Sequence, residues 1–290
     1  MARAYASLGV EQRHHHNRWL SKRLSKHWPD WPRKSAVLYC LANRLGGGKV
    51  PSDLDELMER LAWCRTKTAA VEKEILLTAQ RCVKHRLESW GPGAGQIFAQ
   101  MIEGPPVSLR SEIGMIVNEQ RAVLDALACT LARRGGANTT KDVYFPVTKD
   151  RQSFYEPKGG KYKIRRLSQA DQDKIERIEP WYDPNGGNLA LYLLHQADIT
   201  RKHDRLLKWS CLGGVMPSGN GHIGHMTTSH VIFDEIGVDY LLAHFNGVTC
   251  DLEVNIQLIY AELGALNGNT VIACLHVFDE AVTGVVDMFL

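Results

Sequence analysis

The sequence predicts an α+β protein, mainly a helical bundle with a small C-terminal antiparallel sheet and a final amphipathic helix. Three observations lead there. Two long stretches, 54–90 and 110–134, carry apolar residues at helical spacing, and residues 250–261 alternate apolar with polar as a half-buried strand does. The tail then returns to the helical period through Val271, Cys274, Leu275, Phe278, Val282, Val285, Val286 and Phe289. These changes of period divide the chain into a basic N-terminal extension at 1–50, a helical bundle at 51–205, and a sheet with its covering helix at 206–290.

Taken in order, residues 11–34 hold Arg13, Arg18, Lys22, Arg23, Lys26, Arg33 and Lys34 against only Glu11 and Asp30. Leu20, Leu24 and Trp28 recur at helical spacing until Pro29 and Pro32 end the run. Arg18, Lys22, Arg23, Lys26 and Trp28 are therefore candidate nucleic-acid contacts, cations for phosphates and an indole for stacking. The competing reading docks the tryptophans on the body and leaves the basic residues in water. Ser52 followed by Asp55 is a capping signal for a long helix through Leu54, Leu57, Leu61, Val71, Ile75 and Leu76, expected to reach Trp90. Pro and Gly at 91–95 and 103–106 separate it from the second helix, which stops at Gly135 and Gly136. Residues 137–187 are loop-rich, with 143–147 a candidate short strand and a helix capped by Ser168. A further helix is expected over 189–207 with Asn188 as its N-cap. Segments 206–215 and 229–235 are candidate partners for the alternating strand.

With 44% hydrophobic residues in 290, the chain can bury a core, and a net charge of +3 does not by itself call for a polyanion partner. Seven scattered cysteines without a C-x-x-C pair point to free thiols in a reducing compartment, hence a cytoplasmic protein. No apolar run reaches the roughly 18 to 20 residues of a membrane helix, so no membrane association is expected. No cofactor is expected either: "GGGK" at 46–49 is followed by Val50 where a phosphate loop needs Ser or Thr, and "GPGAG" at 91–95 follows a helix.

Two sets of residues invite chemistry. His222, His225 and His230 lie in one glycine-containing stretch and are candidate metal ligands, although no zincin spacing is present. The second set lies on helices. Gly114, Asn118, Arg121, Asp125, Ala128 and Ala132 form a stripe beside the main apolar face of the second helix, and its small residues favour close approach of another surface. On the 189–207 helix, His195, Asp198 and Lys202 share one side, with His203 adjacent. That side is either solvated and cross-paired, or it reaches a polar groove made with the stripe.

Residues 108–136, the "VYFPV" at 143–147, the stretch 167–184 and "LALYLLHQADITRKHDRLL" at 189–207 together resemble an uncharacterised bacterial protein family with a HEPN-like helical bundle. The resemblance runs from about residue 72 to the C-terminus. Active HEPN members are metal-independent ribonucleases, often toxins or defence effectors, in which an arginine is followed five residues later by a histidine. The resemblance then implies that arginine stabilises the phosphorane charge and histidine moves the 2′-OH proton. Arg121 occupies the arginine position, but Ala126 stands where the histidine belongs. The expected function is therefore a non-catalytic HEPN-like binding or assembly module, RNA-associated, in a defence or toxin-type system, with a protein partner or homo-oligomer formed through the bundle. One alternative is a ribonuclease using Arg121 and Asp125 with His195 or His203 from another helix. The other is a metal-dependent hydrolase built on His222, His225 and His230.

Overall fold

In a computed structural model of the chain, the described residues are 53–290 apart from 185, 204, 205, 262–265 and the side chain of His203. Arg18, Lys22, Arg23, Lys26 and Trp28 lie outside them. The first helix, α1 (Asp53–Cys82), begins with Asp53, Asp55 and Glu56, whose charges suit the positive end of the helix dipole. It buries Leu54, Leu57, Leu61, Val71 and Ile75. The expected continuation to Trp90 does not occur: the chain leaves α1 at Cys82 and enters a hairpin of β1 (Val83–Gly91) and β2 (Ala94–Met101). Gly93, at φ +70°, makes the tight connection, and its carbonyl accepts from Val248 N at 3.0 Å.

The hairpin's pattern is weak in residue type. β1 is exposed on both faces through most of its length, which erases the period-2 signal, and the buried set of β2 is Gly95, Ile97, Ala99 and Met101, two of them nearly without side chain. Ile102 N then donates to Cys82 O at 2.8 Å, so α2 (Val107–Arg134) departs from the end where α1 finished and runs back along it. Arg60 meets Glu119 across that contact at 2.6 Å.

After α2 come the short α3 (Arg151–Tyr155), the single turn α4 (Gly160–Lys163) and α5 (Gln169–Arg177). Ser168 Oγ accepts from Asp171 N at 3.2 Å and so caps α5. The two-residue ribbon of β3 (Tyr182–Asp183) and β4 (Gly186–Gly187) precedes α6 (Leu189–His203), where Asn188 Oδ1 accepts from Leu191 N at 3.1 Å. Five further strands follow: β5 (Trp209–Ser218), β6 (Ile223–Thr228), β7 (Val231–Phe233), β8 (Asp239–Val248) and β9 (Asp251–Tyr260). The last helix, α7 (Val271–Asp287), is capped by Thr270 Oγ1.

Pairing sorts these strands into three sheets, all antiparallel. One has the order β1-β2-β8-β6, one β7-β5-β9, and the third is the β3-β4 ribbon. The expectation of mainly a helical bundle with one small C-terminal sheet is therefore overturned. Among the described residues seven helices share the fold with nine strands, and the largest sheet joins the 83–101 hairpin to strands more than a hundred residues later. Its register, Ile97 opposite Ala243 and Phe98 opposite Leu241 with a bulge between, is a long-range pairing that no local pattern encodes.

The described residues 53–290 share one core. α7 lies against α1, α2 and α6, and its Phe278, Val282 and Val286 are buried in the one core that also holds Leu61, Ile75, Ile116 and Leu124. Polar bonds hold it in place: Arg65 donates to Asp279 Oδ2 at 2.7 Å, and Gln120 Nε2 donates to Leu275 O at 3.1 Å. Burial pushes the Asp279 carboxyl up in spite of Arg65. No helix among the described residues is long and apolar enough to cross a membrane.

Leu61 is fully enclosed whereas Leu77, on the same helix, is 49% exposed. Leu61→Ala is expected to cost about 2–5 kcal/mol through the cavity it leaves, and Leu77→Ala to stay within about 0.5 kcal/mol. Urea denaturation of the two variants checks the assignment of faces.

Candidate functional site

The polar stripe of α2 is covered within the chain. α6 lies across it, and the segment 143–147 closes one side. Gly114 is what lets α6 approach: a Cβ at that position would stand 2.8 Å from Cδ of Arg201. Arg201 uses the space to donate to Asn118 Oδ1 at 2.8 Å.

Arg121 is the centre of the arrangement and only 5% exposed. Its Nη1 donates to Asp125 Oδ1 at 2.8 Å, its Nη2 to the carbonyl of Phe145 at 2.9 Å, and its Nε to His195 Nδ1 at 3.3 Å. Asp125 Oδ1 also accepts from the backbone N–H of Phe145 at 2.9 Å. Arginine and aspartate, one turn apart, thus satisfy both main-chain groups of Phe145, as a neighbouring strand would. The candidate strand at 143–147 is accordingly not paired into a sheet; this side-chain pair holds it instead.

Because Nδ1 of His195 accepts, the ring proton sits on Nε2. Burial first, then the charges of Arg121, Lys163 and Lys202, lower the pKa of His195 to about 3. A ring so held is neutral near neutral pH, and its basic lone pair already faces a guanidinium. It is suited to donate a hydrogen bond from Nε2 and poorly suited to carry a proton in catalysis.

Lys163, on the turn α4, was not singled out from the sequence. Its signal was the basic run of Lys161, Lys163, Arg165 and Arg166, which reads equally as a solvated loop. In the fold it is half-buried, and burial together with Arg121 pulls its pKa down while Asp125 pulls it up. It makes no hydrogen bond or ion pair among the described residues. Asp198, 3% exposed, is shared by Lys202 at 2.6 Å and Arg201 at 3.6 Å. Four cations, Arg121, Lys163, Arg201 and Lys202, therefore gather round two carboxylates, Asp125 and Asp198.

Of the candidate catalytic residues, Arg121, Asp125 and His195 come together; His203 ends α6, and its side chain lies outside the described residues. The candidate metal ligands do not converge. His222 precedes β6, His225 sits on it opposite Asn246, and His230 lies beyond it with its ring over Gly214 of β5. An odd spacing along extended chain sends His222 and His225 to opposite faces. Among the described residues no group of three or more His, Cys, Asp or Glu is placed to hold a metal ion. Burial pushes the thiols of Cys64 and Cys274 up to about 12, which leaves neither as a nucleophile.

Comparison with family models, with curated proteins and with solved structures finds no match.

Two outcomes test this geometry. Arg121→Ala strands Asp125 and Phe145 and is expected to cost about 3–5 kcal/mol. Arg121→Lys recovers only part of this, since one ammonium cannot reach three acceptors set out for a fork; thermal or urea unfolding of both variants measures it. The second outcome concerns pH. Between about pH 3 and 6.5 the unfolded chain binds a proton that folded His195 refuses. The stability tied to the neutral ring is thus fully present above 6.5 and lost as pH falls toward 3, with a slope of about 1.4 kcal/mol per pH unit. His195→Gln removes that slope, as unfolding midpoints measured from about pH 4 to 7 would show.

Proposed function

We propose that the chain is a non-catalytic binding protein that takes a phosphate-bearing ligand, RNA, at the cationic cluster of Lys163, His195 and Lys202 beside Arg121. The observation that carries this reading is the local excess of positive charge: among the described residues Lys163 makes no ion pair and feels Asp125 only at a distance, while Asp125 is bonded to Arg121, and four cations face two carboxylates. Cations crowded in low dielectric repel one another, and an incoming anion relieves that repulsion. Neutral His195 adds a fixed N–H donor, which suits a phosphate oxygen.

The test is binding of a single-stranded RNA oligonucleotide to the full chain by fluorescence anisotropy across salt concentrations. Lys163→Gln is expected to weaken binding about ten-fold and to flatten the logarithmic salt slope by about 0.7. A bound strand also raises the His195 pKa, visible in its ring proton resonances. An affinity untouched by Lys163→Gln sinks the reading. Neutralising Arg18, Lys22, Arg23 and Lys26 together separates any contribution of the N-terminal segment.

A second reading, a metal-independent ribonuclease, is favoured by one observation, the 3.3 Å approach of Arg121 Nε to His195 Nδ1. It predicts RNA cleavage in the presence of a chelator that disappears in His195→Gln. The lowered basicity of His195 and the threefold engagement of Arg121 weigh toward binding without cleavage.

A further inference from the structure

β1 is an outermost strand. It pairs with β2 on one side, and among the described residues nothing pairs with its other side. Edges in natural sheets are blunted by shortness, proline, charged side chains, bulges or covering elements. This one is nine residues long and free of proline, its bulge is confined to the end between Ser89 and Gly91, and its charges, Lys84, Arg86 and Glu88, are of both signs. Seven of the nine residues are exposed, including Leu87 at 60% and Trp90 at 59%, which stand on opposite faces of the strand.

Its sequence, VKHRLESWG, is complementary to itself when reversed about Leu87. Arg86 and Glu88 flank that residue on one face, where Arg86 donates to Glu88 of its own strand, lies over the ring of Phe98 at 4.4 Å and reaches Asp239 at 2.8 Å. In an antiparallel pair of two β1 strands centred on Leu87, each Arg86 stands directly opposite Glu88 of the second copy, twice by symmetry. His85 then meets Ser89, and the two Leu87 side chains cover each other on the opposite face. A register centred on Arg86 would oppose two arginines, and one centred on Glu88 two glutamates, so charge selects the Leu87 register.

We propose that this chain forms a two-fold dimer through β1, in which the edges of two copies pair antiparallel about Leu87. The two four-stranded sheets become one continuous sheet. The same patch serves both partners, as a two-fold interface requires. This surface is separate from the cationic cluster at Arg121, and its test does not depend on any ligand of that cluster.

The experiment is sedimentation equilibrium of the full chain over a range of concentrations, with circular dichroism to confirm that each variant folds. Wild type is expected to be dimeric. Arg86→Glu places like charges opposite each other at two positions and is expected to weaken the dimer roughly ten-fold or more. The exchange R86E/E88R restores opposite charges across the axis and is expected to restore the dimer. Under mild oxidation Leu87→Cys is expected to give a disulfide-linked dimer, since residues directly opposite in antiparallel strands fall within disulfide reach; Ser89→Cys, which meets His85, is expected to give none beyond the wild-type background. A wild-type monomer at every concentration overturns the proposal, whatever then covers the edge. So does a dimer indifferent to Arg86→Glu, which would place the interface elsewhere.

Discussion

The buried guanidinium of Arg121 is the constraint around which the helical layer is organised. A cation at 5% exposure persists only when it is well engaged, and here each of the three guanidinium nitrogens donates to a different part of the chain. Nη1 stays on α2 with Asp125, Nη2 fixes the 143–147 segment through Phe145 O, and Nε fixes α6 through His195. One side chain thus sets where two other parts of the chain lie. Because Asp125 also takes the N–H of Phe145, the segment is held by both of its main-chain groups at that residue.

The same constraint shapes the electrostatics. Arg121 draws His195 close and, together with burial, Lys163 and Lys202, keeps it neutral. It also opposes the charge of Lys163, which makes no hydrogen bond among the described residues. The bonds that fasten α6 and Phe145 therefore also set the electrostatic field around His195 and Lys163. Asp198 limits that field by holding Lys202 and Arg201 to α6.

Elsewhere the fold rests on packing with a few directed bonds. α7 supplies Phe278, Val282 and Val286 to the shared core, while Arg65 with Asp279 and Gln120 with the Leu275 carbonyl fix its rotation. Such bonds add orientation to a contact whose free energy comes mainly from apolar area. The sheets lie where the chain has returned over long distances, and the resulting edge at β1 is left with both faces exposed.

Local chemistry alone determined much of the helical framework. The periods of 54–82, 107–134 and 271–287, the cap at Ser168 and the cap at Asn188 all depend on neighbours within one or two turns, and so they are legible in residue order. The alternation of Leu252, Val254 and Ile256 was equally legible, since each is half-buried between exposed neighbours in β9. The hairpin at 83–101 was not, because a strand exposed on both faces and a strand whose buried face is half glycine and alanine carry no contrast. The stripe of Asn118, Arg121 and Asp125 showed that α2 meets a second surface; only tertiary structure decided that the surface is α6 with Phe145, that Lys163 joins it, and that His222, His225 and His230 do not meet. The physical reason is range: helical period and capping are contacts a few residues long, whereas sheet pairing and the site depend on groups dozens of residues apart that meet only when the whole chain has closed.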